Sequence, residues 1–310
     1  MLKILITGAN GMVGRNIVEY NNAQKYTLLT PSSKVLNLLD RKSVDVYLEV
    51  NVPNIVIHCA GIVGGIQANM ANPVKFLVDN TQMGLNIIMA SKDAGIKKFI
   101  NMSSSCMYPR EAVNPLGETL ILKGELEPTN EGYALAKITS TRLCEYIHRE
   151  DASFKYKTVI PCNLYGKYDK FDPKHSHMLP AVIKKIHEAK VNHKKTLDIW
   201  GDGTARREFM YVEDLADFIY YALENFAQMP QNINVGLGYD YTINEYYETI
   251  AKVIGFDGTF IHDLTKPIGM KQKLIDDAQL KVFGWKHQIS IEDGIEKTYA
   301  YYLQEVLNDK

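Results

Sequence analysis

Short apolar runs alternate with longer amphipathic stretches along the first half of the chain. Residues 3–7, 26–30, 54–58, 98–102 and 158–161 are the apolar runs, and each reads as a buried strand. Helical segments lie between them. One follows the turn after residue 7 and reaches about residue 21. Another spans 73–94, with Asn72 as its expected cap and Pro73 in its first turn. A third spans 133–149. Strands that alternate with helices predict an α/β fold with a doubly wound, parallel sheet. Ligands in such sheets bind outside the carboxyl ends of the strands, and Gly8, Ala60, Ser104 and Asn163 are expected to gather there.

After Gly166 the pattern becomes irregular. A polar loop at 167–177 precedes a helix at 178–190 and a short strand at 197–200. A Gly-Asp-Gly turn, an acidic helix start at Glu213-Asp214 and a strand at 232–235 follow, and the last helix begins at about Ile291. This predicts a smaller, interleaved C-terminal substrate lobe. The main domain is expected from 1–165 with about 206–236, and the lobe from about 166–205 with 237–310.

The first turn is Gly8-Ala9-Asn10-Gly11-Met12-Val13-Gly14, between a strand and a helix. Its three glycines suit a tight turn, a close approach of backbone to a pyrophosphate, and close helix–strand packing. The helix amino terminus adds unpaired N–H groups for an anion. The fold is therefore expected to be of Rossmann type. Ala60 and Gly61, small residues at the end of the third strand, would let a dinucleotide lie against it. A site for NAD carries Asp or Glu after the second strand, bonded to a ribose 2′-hydroxyl. Here the chain reads Pro31-Ser32-Ser33-Lys34, and hydroxyls with one ammonium suit the 2′-phosphate of NADP(H).

Composition narrows the picture. The 310 residues are 46% hydrophobic and 23% charged, with net charge −1, so there is no electrostatic case for nucleic acid or an anionic membrane as partner. No apolar run approaches the ~20 residues of a membrane helix. The amino terminus is too short for a signal peptide before the glycine turn. Cys59, Cys106, Cys144 and Cys162 have neither disulfide-like nor zinc-like spacing, which predicts a cytoplasmic, reducing setting and no metal site. There is no internal repeat or low-complexity tract.

The chemistry centres on residues 127–137. Pro128, Asn130 and Gly132 break the chain, and a helix then carries Tyr133 and Lys137 one turn apart on one face. A cation near a phenol, whose free pKa is about 10, favours phenolate and makes the hydroxyl a better acid. Such a group can protonate a carbonyl oxygen during reduction. The pair follows Ser103-Ser104-Ser105-Cys106-Met107-Tyr108-Pro109 at the end of an apolar strand.

With these segments in view the chain resembles the GDP-L-fucose synthase family of the extended short-chain dehydrogenase/reductase superfamily. The carriers are residues 8–14, Val-Gly-Gly-Ile (63–66), Ser-Ser-Cys-Met-Tyr-Pro (104–109), Leu-Glu-Pro-Thr-Asn-Glu-Gly-Tyr-Ala-Leu-Ala-Lys (126–137), Asn-Leu-Tyr-Gly (163–166), Ser-His (176–177) and Trp-Gly-Asp-Gly-Thr (200–204). The resemblance implies epimerisation at C3 and C5 of a GDP-4-keto-6-deoxy-D-mannose and then hydride reduction at C4. It implies Cys106 as base, His177 as acid, Tyr133 as donor to the C4 oxygen, Lys137 as the group that tunes Tyr133 and holds the nicotinamide ribose, and Ser104 as a bond to the ketone oxygen. It brings Asn163, Leu164 and His177 to the cofactor, and Lys185, Trp200 and Arg207 to the nucleotide sugar. It also implies a homodimer through a four-helix interface of segments 73–94 and 133–149.

There are departures from the family pattern. Asn10 stands where some relatives carry Arg toward the 2′-phosphate, the 30–34 loop lacks an Arg, and Ile268 replaces an Asp. The rival expectations are C5 epimerisation and C4 reduction of the 3,6-dideoxy sugar to GDP-L-colitose, an NAD-retaining 4-epimerase or dehydratase, and a non-catalytic nucleotide sensor.

Overall fold

The computed structural model describes residues 1–172, 176–266 and 270–307. The first half runs β1 (Lys3–Thr7), α1 (Met12–Glu19), β2 (Thr27–Leu29), α2 (Arg41–Asn51), β3 (Ile55–His58), α3 (Ile66–Ala71), α4 (Pro73–Asp93), β4 (Lys98–Met102), α5 (Glu131–Glu150) and β5 (Lys155–Pro161). The second half runs β6 (Asn163–Tyr165), α6 (Met178–Val191), β7 (Thr196–Trp200), β8 (Arg206–Arg207), β9 (Phe209–Tyr211), α7 (Val212–Glu224) and β10 (Asn232–Val235). It ends with β11 (Tyr241–Thr242), α8 (Ile243–Ile254), β12 (Thr259–Asp263), β13 (Gln272–Lys273), α9 (Ala278–Phe283) and α10 (Ile291–Tyr301).

Six of these strands form one parallel sheet in the order β10-β5-β4-β3-β1-β2. Side chains alternate across a strand, so each strand serves two layers. Ile4, Ile6, Ile57 and Ile100 face a core that α7 closes with Leu215 and Ile219. Leu5, Val56 and Phe99 face the opposite core, with Val44 of α2 and Ile87 and Ile88 of α4. A third core unites α6, α8 and α10 through Ile183, Ile186, Ile250 and Ile295. Small sheets accompany these cores: β6 with β9, β7 with β12, and β8 with β11 and β13.

The sheet order reverses between β1 and β3, and that crevice is where ligands bind in open α/β sheets. Gly8 at the end of β1 adopts φ +71°, and a Cβ there would lie 2.6 Å from the Ala60 amide nitrogen beyond β3.

Two local expectations are corrected. The second strand is shorter than residues 26–30, because Tyr26 turns its ring onto Tyr220 (centroids 5.8 Å apart) and Pro31 has no N–H to extend the ladder. Asn72 starts α4, but its amide donates back to the Ala68 carbonyl oxygen (3.3 Å) and does not cap the helix. Among the described residues, no helix is long and apolar enough to cross a membrane, and no group of three or more His, Cys, Asp or Glu side chains could hold a metal ion.

Candidate active site

The glycine turn builds a cradle. A Cβ on Gly14 would lie 2.3 Å from the Gly8 carbonyl oxygen, so the helix can sit this close only without a side chain there. Gly11, at the start of α1, has open space on its Cβ side, apart from the Gly8 oxygen at 3.4 Å. No side chain caps α1 and no acid occupies its first turn. The N–H groups at the start of α1 thus have no side-chain cap and no first-turn acid to compete with an anion. Asn10 at the turn is exposed. After β2, Ser32 is half-buried, Ser33 and Lys34 are exposed, and Lys34 has no ion pair among the described residues. The nearest acid in sequence, Asp40, is committed to the Lys42 amide as the cap of α2. These features fit a dinucleotide with a phosphate on its ribose.

Beyond β3, Asn80 of α4 fixes the chain. Its carbonyl accepts from the Ile62 N–H (2.8 Å), and its amide donates to the Ile62 and Phe76 carbonyls (3.1 and 2.7 Å). A Cβ on Gly61 would lie 3.1 Å from that Asn80 oxygen and 3.8 Å from Lys137 Nζ, which places the Lys137 ammonium beside the strand end.

The serine run leaves β4 through a single helical turn. Ser104 caps it by accepting from the Cys106 N–H (3.3 Å). Cys106 is only 5% exposed. Burial pushes its thiol up, and the Lys273 ammonium, the Ser104 hydroxyl and the Lys137 ammonium pull the other way. On α5, burial and then Cys106 push the Tyr133 phenol above its usual range, so it stays protonated. The acidifying influence expected of Lys137 does not outweigh burial here. The Lys137 ammonium sits 5.6 Å from the Tyr133 ring centre and donates to the Met102 carbonyl (2.9 Å). Burial lowers its own pKa, and Cys106 and Cys59 raise it. Ser104, Cys106, Tyr133 and Lys137 therefore form one cluster.

His177 stands at the amino terminus of α6. Burial, then Lys273 and Lys170, hold its imidazole below the usual range. His175 and Ile268 lie outside the described residues.

Asn163 donates to the Glu208 carbonyl (2.9 Å), with Leu164 behind it in the main core. Arg207 is half-buried and donates to the Arg206 carbonyl (2.8 Å). Burial lowers its pKa, and Glu127 and Asp240 raise it. Lys185 and Trp200 belong to a separate group around β7. Lys185 pairs with Asp198 (2.9 Å) and also donates to its carbonyl (2.5 Å), and Trp200 is 50% exposed.

The chain matches the NAD dependent epimerase/dehydratase family over residues 4–236. It is 61% identical over 308 residues to GDP-L-colitose synthase of Yersinia pseudotuberculosis, covering 99% of this chain and 100% of that one. It is 48% identical over 301 residues to GDP-L-fucose synthase of Azorhizobium caulinodans, covering 97% and 96%. The chain belongs to the NAD dependent epimerase/dehydratase family, in the branch of the GDP-L-fucose and GDP-L-colitose synthases. The solved GDP-mannoheptose C4 reductase of Campylobacter jejuni, with NADP bound, superposes with TM-score 0.88 at 29% identity over 98% of both chains.

Within this family fold, sequence reading missed two groups of the site. Lys273 reaches Cys106, His177 and Arg207 electrostatically. Glu208 is fully buried and accepts from the N–H groups of Leu237 (2.6 Å), Gly238 (3.1 Å) and Ile275 (3.0 Å). For Glu208, a carboxylate between Arg207 and the apolar run Phe209-Met210-Tyr211 was a usable signal. For Lys273 there was none, because its two-residue strand has no periodicity to read.

Proposed function

We propose that the chain is an NADPH-dependent epimerase/reductase that inverts C5 and reduces C4 of a GDP-linked 4-keto-6-deoxyhexose. The observation that carries this reading is the single buried cluster of Ser104, Cys106, Tyr133 and Lys137 beside the β1/β3 crevice. Its chemistry suits both half-reactions. The C4 ketone acidifies the C5–H bond, and also C3–H where the substrate is the mannose form. Cys106 takes the proton as thiolate, and a thiolate is a competent base when a neighbouring charge stabilises it. Ser104 and Tyr133 bond the enolate oxygen, and His177 returns a proton to the opposite face. Bound NADPH supplies the hydride for C4. Tyr133 gives its proton to the C4 oxygen, and Lys137 compensates the charge and holds the ribose.

Gly8, Gly11, Met12, Val13 and Gly14 would hold the cofactor diphosphate, and Ser32, Ser33 and Lys34 its 2′-phosphate. Ala60, Gly61, Lys137, Asn163, Leu164 and His177 would line the nicotinamide half. We assign Lys185, Trp200 and Arg207 to the GDP sugar. The planar donor fork of Arg207 suits its diphosphate. The cofactor falls to residues 1–165 with about 206–236, and the sugar nucleotide to about 166–205 with 237–310.

Two substrates share this chemistry. GDP-4-keto-6-deoxy-D-mannose would be inverted at C3 and C5 and reduced to GDP-L-fucose. The 3,6-dideoxy ketone would be inverted at C5 alone and reduced to GDP-L-colitose, and the 61% identity to a GDP-L-colitose synthase supports that second reading. Incubation with each ketone and NADPH, with NMR of the product sugar, tests both. Four free cysteines support a reducing, cytoplasmic setting. We also propose a homodimer through α4 and α5, supported by the exposed Val74 and Val78 on one helix and Leu135 and Tyr146 on the other.

A further inference from the structure

Lys273 comes from the last quarter of the chain, far in sequence from the rest of the site. Four contacts hold its short strand in place. β13 pairs in parallel with β8, with Lys273 opposite Arg207. The next N–H, of Leu274, donates to Asn114 Oδ1 (2.7 Å), and the Leu274 carbonyl accepts from Leu116 (2.8 Å). The Ile275 N–H donates to the buried Glu208 carboxylate (3.0 Å).

Side chains alternate along a strand, so Gln272 and Lys273 point to opposite sides and Ile275 shares the side of Lys273. Gln272 points to the lobe and bonds Asp240 (2.7 Å). Ile275 is buried in the same core as Cys106. The register therefore turns Lys273 toward the thiol. It makes no ion pair with a carboxylate among the described residues, although Glu127 lies within electrostatic range. The groups facing it are Cys106, Arg207, Cys162, Glu127 and His177, and those facing Cys106 are Lys273, Ser104, Lys137 and Tyr133. Lys137 already donates to the Met102 carbonyl.

We propose that Lys273 is the positioning residue whose ammonium stabilises the Cys106 thiolate, so that this buried cysteine can act as the base for C5. The inference deepens the proposed function and rests on Cys106 being that base. Burial holds the Cys106 thiol above its usual range even beside the cation, and removing Lys273 takes away the largest opposing influence and pushes it higher still. Hydride transfer itself needs no thiolate.

The test compares the wild type with Lys273→Met, which keeps the apolar stem, and Lys273→Arg, which keeps the charge. Lys273→Gln replaces the Met variant if that one does not fold by thermal melting. The first readout uses no sugar: iodoacetamide labelling of the Cys106 peptide, followed by mass spectrometry across pH. The expected midpoint in Lys273→Met rises by about one pH unit or more, with a roughly tenfold loss of labelling at pH 7, and Lys273→Arg restores it. The second readout is deuterium incorporation at C5 from solvent, expected to fall about tenfold in kcat while KM for the sugar nucleotide changes little. An unshifted labelling profile overturns the inference. A raised KM with unchanged labelling also overturns it and makes Lys273 a diphosphate contact only. Shifted labelling with wild-type exchange leaves the Lys273–Cys106 pair standing and overturns Cys106 as the base, which separates the two failures.

Discussion

At the scale of single residues, burial sets the protonation of the groups proposed as acid and base. Burial holds the Tyr133 phenol above its usual range, so it carries a proton to give. Tyr133→Phe removes that proton and keeps the ring packed against Phe76. Reduction is expected to fall roughly 10²–10⁴-fold, the usual worth of a positioned general acid. Near wild-type NADPH oxidation with the 4-keto sugar would exclude the role. Cys106→Ser offers a hydroxyl hardly ionised at neutral pH. It is expected to lose deuterium exchange at C5 while still slowly reducing the uninverted ketone. His177→Asn is expected to keep exchange and lose inversion. Normal L-configured product from Cys106→Ser at the wild-type rate would rule out the thiol as base. Tyr133 and Lys137 were legible from their spacing and from the Ser104–Cys106 run before them. Lys273 was not, because a charge placed by strand register across the lobe leaves no local pattern.

At the scale of elements, the strands β1, β3, β4 and β5 followed from their apolar runs, and α4 and α5 from their length. The second strand was overestimated because a stacked tyrosine and a proline end it early. The loop after β2 carries a prediction of its own. Ser32, Ser33 and Lys34 stand where an acid would bind a free 2′-hydroxyl, so kcat/KM is expected to be higher with NADPH than with NADH. Equal or better use of NADH would overturn the assignment.

Glu208 carries another, since it ties β9 to the 237–238 turn and to the strand that presents Lys273. Burial pushes its carboxyl up to about 7, against the pull of three N–H donors, from an ordinary 4.5. A folded pKa above the unfolded one means the native state binds the extra proton. This group's contribution to stability is therefore full below about pH 4.5 and is lost as pH rises through about 7. Glu208→Gln cannot accept all three bonds, and is expected to cost about 1–3 kcal/mol and to abolish that part of the pH slope. Chemical denaturation of both proteins at pH 5 and pH 8 checks it, and identical slopes would refute it.

At the scale of the whole molecule, two bodies of core meet at one crevice. The sheet carries the glycine turn and the Ser104–Lys137 cluster, and residues of the second half, His177, Arg207 and Lys273, come to the same place. The parallel sheet was legible because repeated strand–helix units have a strong period. The second half was not legible element by element, because its two-residue strands β8, β11 and β13 are held by partners far apart in sequence. The central claim is that this crevice performs inversion and reduction together. The most direct measurement is NMR of the sugar formed in D₂O from the GDP-4-keto-6-deoxy ketone, in its 3-hydroxy and 3-deoxy forms, with NADPH. The account predicts an L-configured product with deuterium at C5 and one NADPH consumed per sugar. A D-configured product without deuterium, or turnover without loss of NADPH, would contradict it.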